Sequence, residues 1–260
     1  MPELPEVAYA VRRLRRSAVG RAIVTVRALH PAPARALTAA VRRRLAGRRI
    51  VAAARRGKSQ LLALDDGTTL VVHFRLDGDW AVVPPRQALP AFARVAFALD
   101  DGRILVLTDP RALSTVTVHP AADPPRFALG PEADDPALTA AALRDRLRNA
   151  RTPIKVALLD QRRIAGLGNI YAAEALWRAR IDPRTPAGQL SAARVARLLA
   201  GIRAALRDGI KEAGRYRTGE RRHPFAVYDR AGAPCRRCGG RVRALTQAGR
   251  TTYWCPDCQR

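Results

Sequence analysis

The sequence predicts an α+β protein: an N-terminal antiparallel β-sandwich with flanking helices, then a helical domain, then a zinc-ribbon hairpin. Three observations carry this expectation. Short strand-like runs between residues 50 and 108 are separated by tight turns such as Asp65-Asp66-Gly67 and Asp100-Asp101-Gly102, and many short strands joined this way build a sandwich or barrel. After a stretch rich in proline and acid, apolar residues recur at helical spacing. All four cysteines fall in the last 26 residues, as Cys235-x2-Cys238-x16-Cys255-x2-Cys258.

Taken in order, Pro5 to Val19 reads as a helix with Val7, Val11, Leu14 and Ala18 on its apolar face. Ala22 to Ala28 reads as a strand. Thr38 to Ala46 reads as a short helix, capped by Thr38 and stopped by Gly47. Six strands follow: Ile50 to Ala54, Ser59 to Leu64, Thr68 to Phe74, Trp80 to Val83, Ala93 to Leu99 and Arg103 to Thr108. The prolines of 119–136 mark a linker. Helices are expected at Pro136 to Asn149, Ile154 to Gln161, Asn169 to Arg178 and Leu190 to Glu212. The expected domains are therefore 1–118, 137–225 and 226–260.

The chain carries 47 basic and 22 acidic residues, a formal net charge of +25. Solubility needs far less, so a polyanionic partner is implied, most simply nucleic acid. A hydrophobic fraction of 48% argues against disorder. Only Lys58, Lys155 and Lys211 are lysine; the other basic residues are arginine. A lysine that survives such a bias is a candidate for work needing a compact, titratable ammonium, which singles out Lys58 and Lys155. No apolar run suggests a membrane span, and the acidic N-terminus lacks the apolar stretch of a signal peptide. A monomer in the cytoplasm, associated with the nucleoid, is expected.

The chemistry is expected to begin at Met1-Pro2-Glu3-Leu4-Pro5-Glu6. Removal of Met1 would leave Pro2 as a free secondary amine. Such a terminus has a pKa near 8 and is nucleophilic at neutral pH. Attack on a sugar aldehyde carbon gives an iminium, an electron sink for elimination. Glu3 and Glu6 follow within one turn, so one carboxylate could move protons while the other holds the terminus. The plainer account is a helix N-terminus whose acids suit its dipole.

The cysteine spacing is that of a tetrathiolate zinc site. Four thiolates leave no open position, so one structural ion is expected, and its binding would supply the folding energy of a segment too short for its own core. Arg250 follows the turn Gln247-Ala248-Gly249, where it suits either a phosphate or solvent. In Gly166-Leu167-Gly168-Asn169 the glycines permit close backbone approach, and free N–H groups there would suit a phosphate. A plain connection between two helices is the alternative. Lys58 follows Gly57 at a strand start. His73 closes another strand, where a structural histidine is the commoner role.

Together, Met1 to Val7, Lys58, Thr108-Asp109-Pro110-Arg111, Ile154-Lys155, Gly166 to Glu174 and the cysteine quartet resemble the formamidopyrimidine-DNA glycosylase / endonuclease VIII family of base-excision repair enzymes. The likeness spans essentially the whole chain, in the family's order. It implies a helix–two-turn–helix domain between the sandwich and the zinc finger. The implied activity is bifunctional: the enzyme flips and excises a damaged base from double-stranded DNA, then cuts the strand by β,δ-elimination. The resemblance gives Pro2 the role of Schiff-base nucleophile and Glu3 that of proton donor to the opening sugar, with Glu6 beside them. Lys58 and Arg250 would serve elimination and phosphate binding. Asn169, with Gly168, would anchor the backbone near the lesion, Lys155 would sit by the flipped nucleotide, and Arg111 would fill the gap opposite the estranged base. His73, Arg94 and Arg151 complete the expected DNA-facing set.

Two departures stand out. Leu76 and Leu113 occupy the places where many relatives carry a methionine and a phenylalanine, and leucine can wedge but cannot stack. The segment Arg215 to Phe225 is shorter than the loop that closes over 8-oxoguanine in the purine-specific branch. Ring-opened purines, oxidised pyrimidines and abasic sites are therefore expected as substrates ahead of 8-oxoguanine. Two rivals remain at this point: a non-catalytic damaged- or bent-DNA-binding protein of the same fold, and a zinc-ribbon structural protein.

Overall fold

The computed structural model describes residues 2–217 and 225–260, with backbone alone at 214–217. The removal of Met1, and most of the short segment 215–225, lie outside the described residues. The chain forms two compact units, Met1–Pro2 with Val7–Phe127, and Glu3–Glu6 with Ala128–Arg260.

The first helix, α1 (Leu4–Ser17), begins in the second unit and continues into the first. Ala10, Val11 and Leu14 are buried at helical spacing, while Arg12, Arg15 and Arg16 face water. The first unit is otherwise built from β1 (Ile23–Ala28), α2 (Ala39–Leu45), β2 (Ile50–Arg56), β3 (Ser59–Leu64), β4 (Thr69–His73), β5 (Asp79–Val83), β6 (Ala93–Leu99), β7 (Ile104–Thr108) and β8 (Thr115–His119). The strands make two four-stranded antiparallel sheets, ordered β1-β6-β7-β5 and β2-β3-β4-β8. One apolar cluster draws on both sheets and on α1: Leu14, Ile23, Phe97 and Leu107 meet Leu62, Leu70 and Val116. Each such side chain contributes about 1.5–3 kcal/mol on burial, which is why the sandwich closes. Inside it Trp80 Nε1 donates to Gln60 Oε1 at 2.8 Å, while Gln60 Nε2 is buried without a partner among the described residues. Asp66 and Asp101 accept from the backbone N–H two residues on, the Asx-turn chemistry that the Asp-Asp-Gly motifs foretell.

Strand β8 was not expected. It pairs with β4 through Leu70↔Val118 and Val72↔Val116, so the sheet extends into the start of the expected linker.

The second unit holds α3 (Ala140–Leu147), α4 (Ile154–Leu159), a 3-10 turn (Ala187–Gln189), α5 (Asn169–Ala179), α6 (Ala192–Arg217), and the hairpin β9 (Arg243–Gln247) with β10 (Arg250–Trp254). Helix α6 runs five residues past the expected end. Helices α5 and α6 touch where α6 carries Gly209: a Cβ there would lie 2.3 Å from the Tyr171 ring. A mid-helix glycine costs about 1 kcal/mol against alanine, and here that cost is offset by seating a buried tyrosine. Thr139 Oγ1 caps α3 by accepting from Ala142 N–H at 3.1 Å. No helix among the described residues is long and apolar enough to cross a membrane.

Candidate active site and zinc centre

The second unit gathers the first acidic residues of the chain around the start of α5. Glu3 is buried, and its carboxylate accepts from Gly168 N–H at 2.8 Å, Ile170 N–H at 2.8 Å and Tyr171 N–H at 3.2 Å. These are the unpaired donors of a helix N-terminus, where partial positive charge favours an anion. The expectation that N–H groups of this loop are free for a phosphate is therefore corrected: an internal carboxylate already takes them. Leu4 N–H donates to Gly166 O at 3.1 Å. Gly166 has φ +95°, and a Cβ there would sit 2.6 Å from the Leu4 side chain, so only glycine permits this approach.

Glu6 lies beneath Glu3. Its Oε2 accepts from Glu3 N–H at 2.8 Å and its Oε1 from the Tyr171 hydroxyl at 2.7 Å. Burial, helped by the nearby Glu3 charge, pushes its pKa up to about 7. Glu6 thus orients the residue that follows Pro2. Pro2 itself is buried in the chain that still bears Met1, and its nitrogen becomes an amine only when Met1 is cut away.

Lys155, at the start of α4, is fully buried and its Nζ has no hydrogen-bond partner. Burial and the positive charge of Arg250 pull its pKa down to about 8, and Glu3 opposes that shift. The chain thus retains an ammonium with unused donors beside the Glu3 carboxylate. Asn169 opens α5, and its Nδ2 donates to Thr251 O at 2.9 Å. That bond ties the helix start to the hairpin carrying the exposed Arg250. Arg151 is exposed in the loop before α4.

In the first unit, Lys58 stands in the two-residue turn between β2 and β3 rather than at the strand start. His73 ends β4, and its Nδ1 accepts from Arg75 N–H at 3.0 Å. Burial, then the charges of Arg75 and Lys58, hold its pKa at about 4. At neutral pH it is an uncharged imidazole whose proton sits on Nε2, a donor suited to a phosphate oxygen.

The Asp109–Ser114 turn is braced by its own aspartate. Asp109 accepts from the N–H groups of Arg111, Leu113 and Ser114. Leu113 is exposed, Leu76 is half-buried, and Arg111 Nε meets Asp77 Oδ2 at 2.7 Å. Arg94 is spent locally: it donates to Asp109 O at 2.7 Å and Pro110 O at 3.1 Å. Sequence reasoning missed Asp77, whose partner is remote in sequence. It also missed Glu174, whose carboxylate accepts from Ala226, Val227 and Tyr228 N–H.

The four thiols converge. All four Sγ atoms lie within 4.8 Å of one another, with Cys235 and Cys258 3.9 Å apart and Cys238 and Cys255 3.6 Å apart. A tetrahedral ion with Zn–S near 2.3 Å needs S–S edges of about 3.8 Å. The donor set and spacing fit one structural zinc. The hairpin beside it turns at Ala248 and Gly249, both with positive φ, the geometry that tight antiparallel hairpins need. Trp177 Nε1 donates to Cys235 Sγ at 3.3 Å, a support for that ligand from α5.

Residues 1–116 match the formamidopyrimidine-DNA glycosylase N-terminal domain, residues 129–219 the H2TH domain of formamidopyrimidine-DNA glycosylase, and residues 232–260 the zinc finger found in that enzyme and in isoleucyl-tRNA synthetase. A formamidopyrimidine-DNA glycosylase of Chloroflexus aggregans is 43% identical over 278 residues, covering 100% of this chain and 98% of the relative. The Lactococcus lactis enzyme, solved non-covalently bound to DNA containing an abasic site, superposes with a TM-score of 0.88 at 30% identity over 99% of both chains. The same enzyme with DNA containing a ring-opened guanine gives 0.89 at 29% identity, over 99% of this chain and 100% of that one. The cradle that Glu3 finds at α5, the tetrathiolate hairpin and these matches along the whole chain lead to one conclusion: this chain belongs to the formamidopyrimidine-DNA glycosylase family.

Proposed function

We propose that the chain is a bifunctional DNA glycosylase and AP lyase that acts on ring-opened purines, oxidised pyrimidines and abasic sites in duplex DNA. The observation that carries this reading is the Glu3 carboxylate, fixed by three backbone N–H groups one residue from the proline that becomes the chain terminus. The Pro2 nitrogen attacks C1′ of an extruded nucleotide. As it attacks, Pro2 sheds its N–H proton to the Glu3 carboxylate; the base leaves C1′ with the bonding electrons and takes a proton from water, Glu3 passes its proton to the ring oxygen as the sugar opens, and an iminium remains. Loss of a C2′ proton into that electron sink expels the 3′ phosphate, and a second elimination expels the 5′ phosphate. Water then releases the amine.

The supporting residues have matching chemistry. Lys58, neutral His73, Asn169 and Arg250 suit phosphate oxygens, and Lys155 offers unused donors to the flipped nucleotide. Arg111, with Leu76 and Leu113, fills the space the flipped nucleotide leaves. Zinc supplies folding energy to the hairpin and takes no chemical step. Such a substrate puts the enzyme on the nucleoid.

The test is borohydride trapping on an abasic-site duplex, with the adduct located by mass spectrometry. Wild-type protein lacking Met1 is expected to crosslink through Pro2, and Pro2→Gly to give a slower reaction at the same terminus. Intact, Met1-free protein that binds the duplex and never crosslinks would instead make it a damaged-DNA-binding protein without lyase activity. Excision of 8-oxoguanine opposite cytosine as fast as any ring-opened lesion would overturn the lesion preference.

A further inference from the structure

Four large apolar side chains stand out in solvent among the described residues: Val24, Val51, Phe92 and Leu113. Phe92 is 55% exposed, and Leu113 is 47% exposed. These two belong to one local structure. Asp109 N–H donates to Phe92 O at 3.0 Å, so Phe92 lies beside the turn that carries Arg111 and Leu113. Arg94 links them: its guanidinium lies 5.8 Å from the centre of the Phe92 ring while donating to Asp109 O and Pro110 O. Phe92 also has φ +60°, a conformation costly for a bulky side chain. An exposed phenylalanine in a strained backbone, gripped by an arginine that also grips the neighbouring turn, costs stability and gains nothing from the core.

We propose that Phe92 is a DNA-stacking residue: its ring lies against a base of the opened duplex and supplies the aromatic surface that Leu113 cannot. The occupant is a nucleobase rather than an apolar peptide because a cation stands against the ring: the Arg94 guanidinium lies 5.8 Å from its centre. The exposed Arg111 is on the neighbouring turn, and the chain as a whole carries +25, which suits a polyanion. Base–aromatic stacking tolerates any base identity, so Phe92 adds affinity for DNA that has lost stacking at the lesion and little for intact duplex. This rests on the reading that the Asp109–Ser114 turn enters DNA.

The experiment compares Phe92→Ala, Phe92→Leu and Phe92→Tyr with Leu113→Ala and Arg111→Ala. Affinity is measured for an abasic-site duplex and its intact counterpart, with 2-aminopurine placed beside and opposite the lesion. Alanine and leucine at position 92 are expected to weaken abasic-site binding about tenfold, within the range of one lost stacking contact. They should leave intact-duplex binding and its salt dependence unchanged. Tyrosine should restore both affinity and quenching of the 2-aminopurine signal. Wild-type behaviour in Phe92→Ala, with weakened binding in Leu113→Ala and Arg111→Ala, would overturn the proposal and keep the turn in DNA. An equal loss on both duplexes with a shallower salt slope would also overturn it, because Phe92 would then only steady a phosphate contact. No effect in any of the five variants would remove the turn from the interface, and the proposal with it.

Discussion

The two units place their charges differently. Around the start of α5 buried ionisable groups crowd together and are displaced from their ordinary ranges: Glu6 rises to about 7 and Lys155 falls to about 8. In the sandwich burial displaces His73 and encloses the backbone-capped Asp109, but the Asp77–Arg111 pair beside that turn stands in water. Burial makes a charge reactive and costs stability. Exposure keeps a charge cheap and lets it meet a partner. The contrast suits the mechanism proposed above, in which buried acids move protons and the exposed Asp109–Ser114 turn meets DNA.

The largest expected effect comes from turning a compensated buried charge into an uncompensated one. Four thiolates are tolerable together because a zinc ion offsets half of their charge and bonds to each sulfur. Chelation should abolish the amide protection of β9 and β10 in hydrogen exchange and leave the sandwich strands protected; unchanged protection in the hairpin would break the contrast. Next comes Lys155→Met, which keeps volume and removes an unpaired ammonium. Its burial lowers the pKa from 10.5 to about 8, so the ammonium is disfavoured in the folded chain, and at pH 7 this variant should melt higher while losing lesion processing. Lys155 binds its proton more weakly in the folded chain, so the penalty is present below pH 8 and fades as pH rises towards 10.5. A lower melting temperature at pH 7 would show that the ammonium is stabilised in place.

Glu6→Gln probes the same cost with opposite sign. A raised carboxyl pKa means the folded chain holds the proton more tightly, so wild-type stability should fall as pH rises from about 4.5 to 7. The variant should match wild type at pH 4 and exceed it by roughly 3 kcal/mol at pH 8, read from urea melts. Equal pH slopes in the two proteins would refute the burial argument. Asp77→Ala should do least: the pair is more than a third exposed, and its loss should cost below about 0.5 kcal/mol. Its effect should appear instead as altered preference for the base opposite the lesion.

Much of this was legible in the sequence for local reasons. The cysteine spacing, the Asp-Asp-Gly turns and the apolar face of α1 are encoded within a few residues of each other. Lys155 was visible because lysine is so rare here. Strand β8 was missed because five residues before a proline carry a weak signal, and pairing with β4 decides their conformation. The seat of Glu3 could not be read from spacing, since its donors lie 165 to 168 residues away. The same holds for Glu174 and the 226–228 backbone. Even where the motif was seen, as at Gly166 to Asn169, its donors had a different acceptor from the one expected.

The separation between Glu3 and Gly168 also sets an order of events during synthesis. Ribosomes add roughly 5–20 residues per second, so the leading residues emerge about 8–30 seconds before the loop that receives them. A nascent chain can complete its sandwich in that interval and still lack a seated terminus. Under the mechanism proposed above, the pairing of Pro2 with a seated Glu3 is complete only once the helical unit exists.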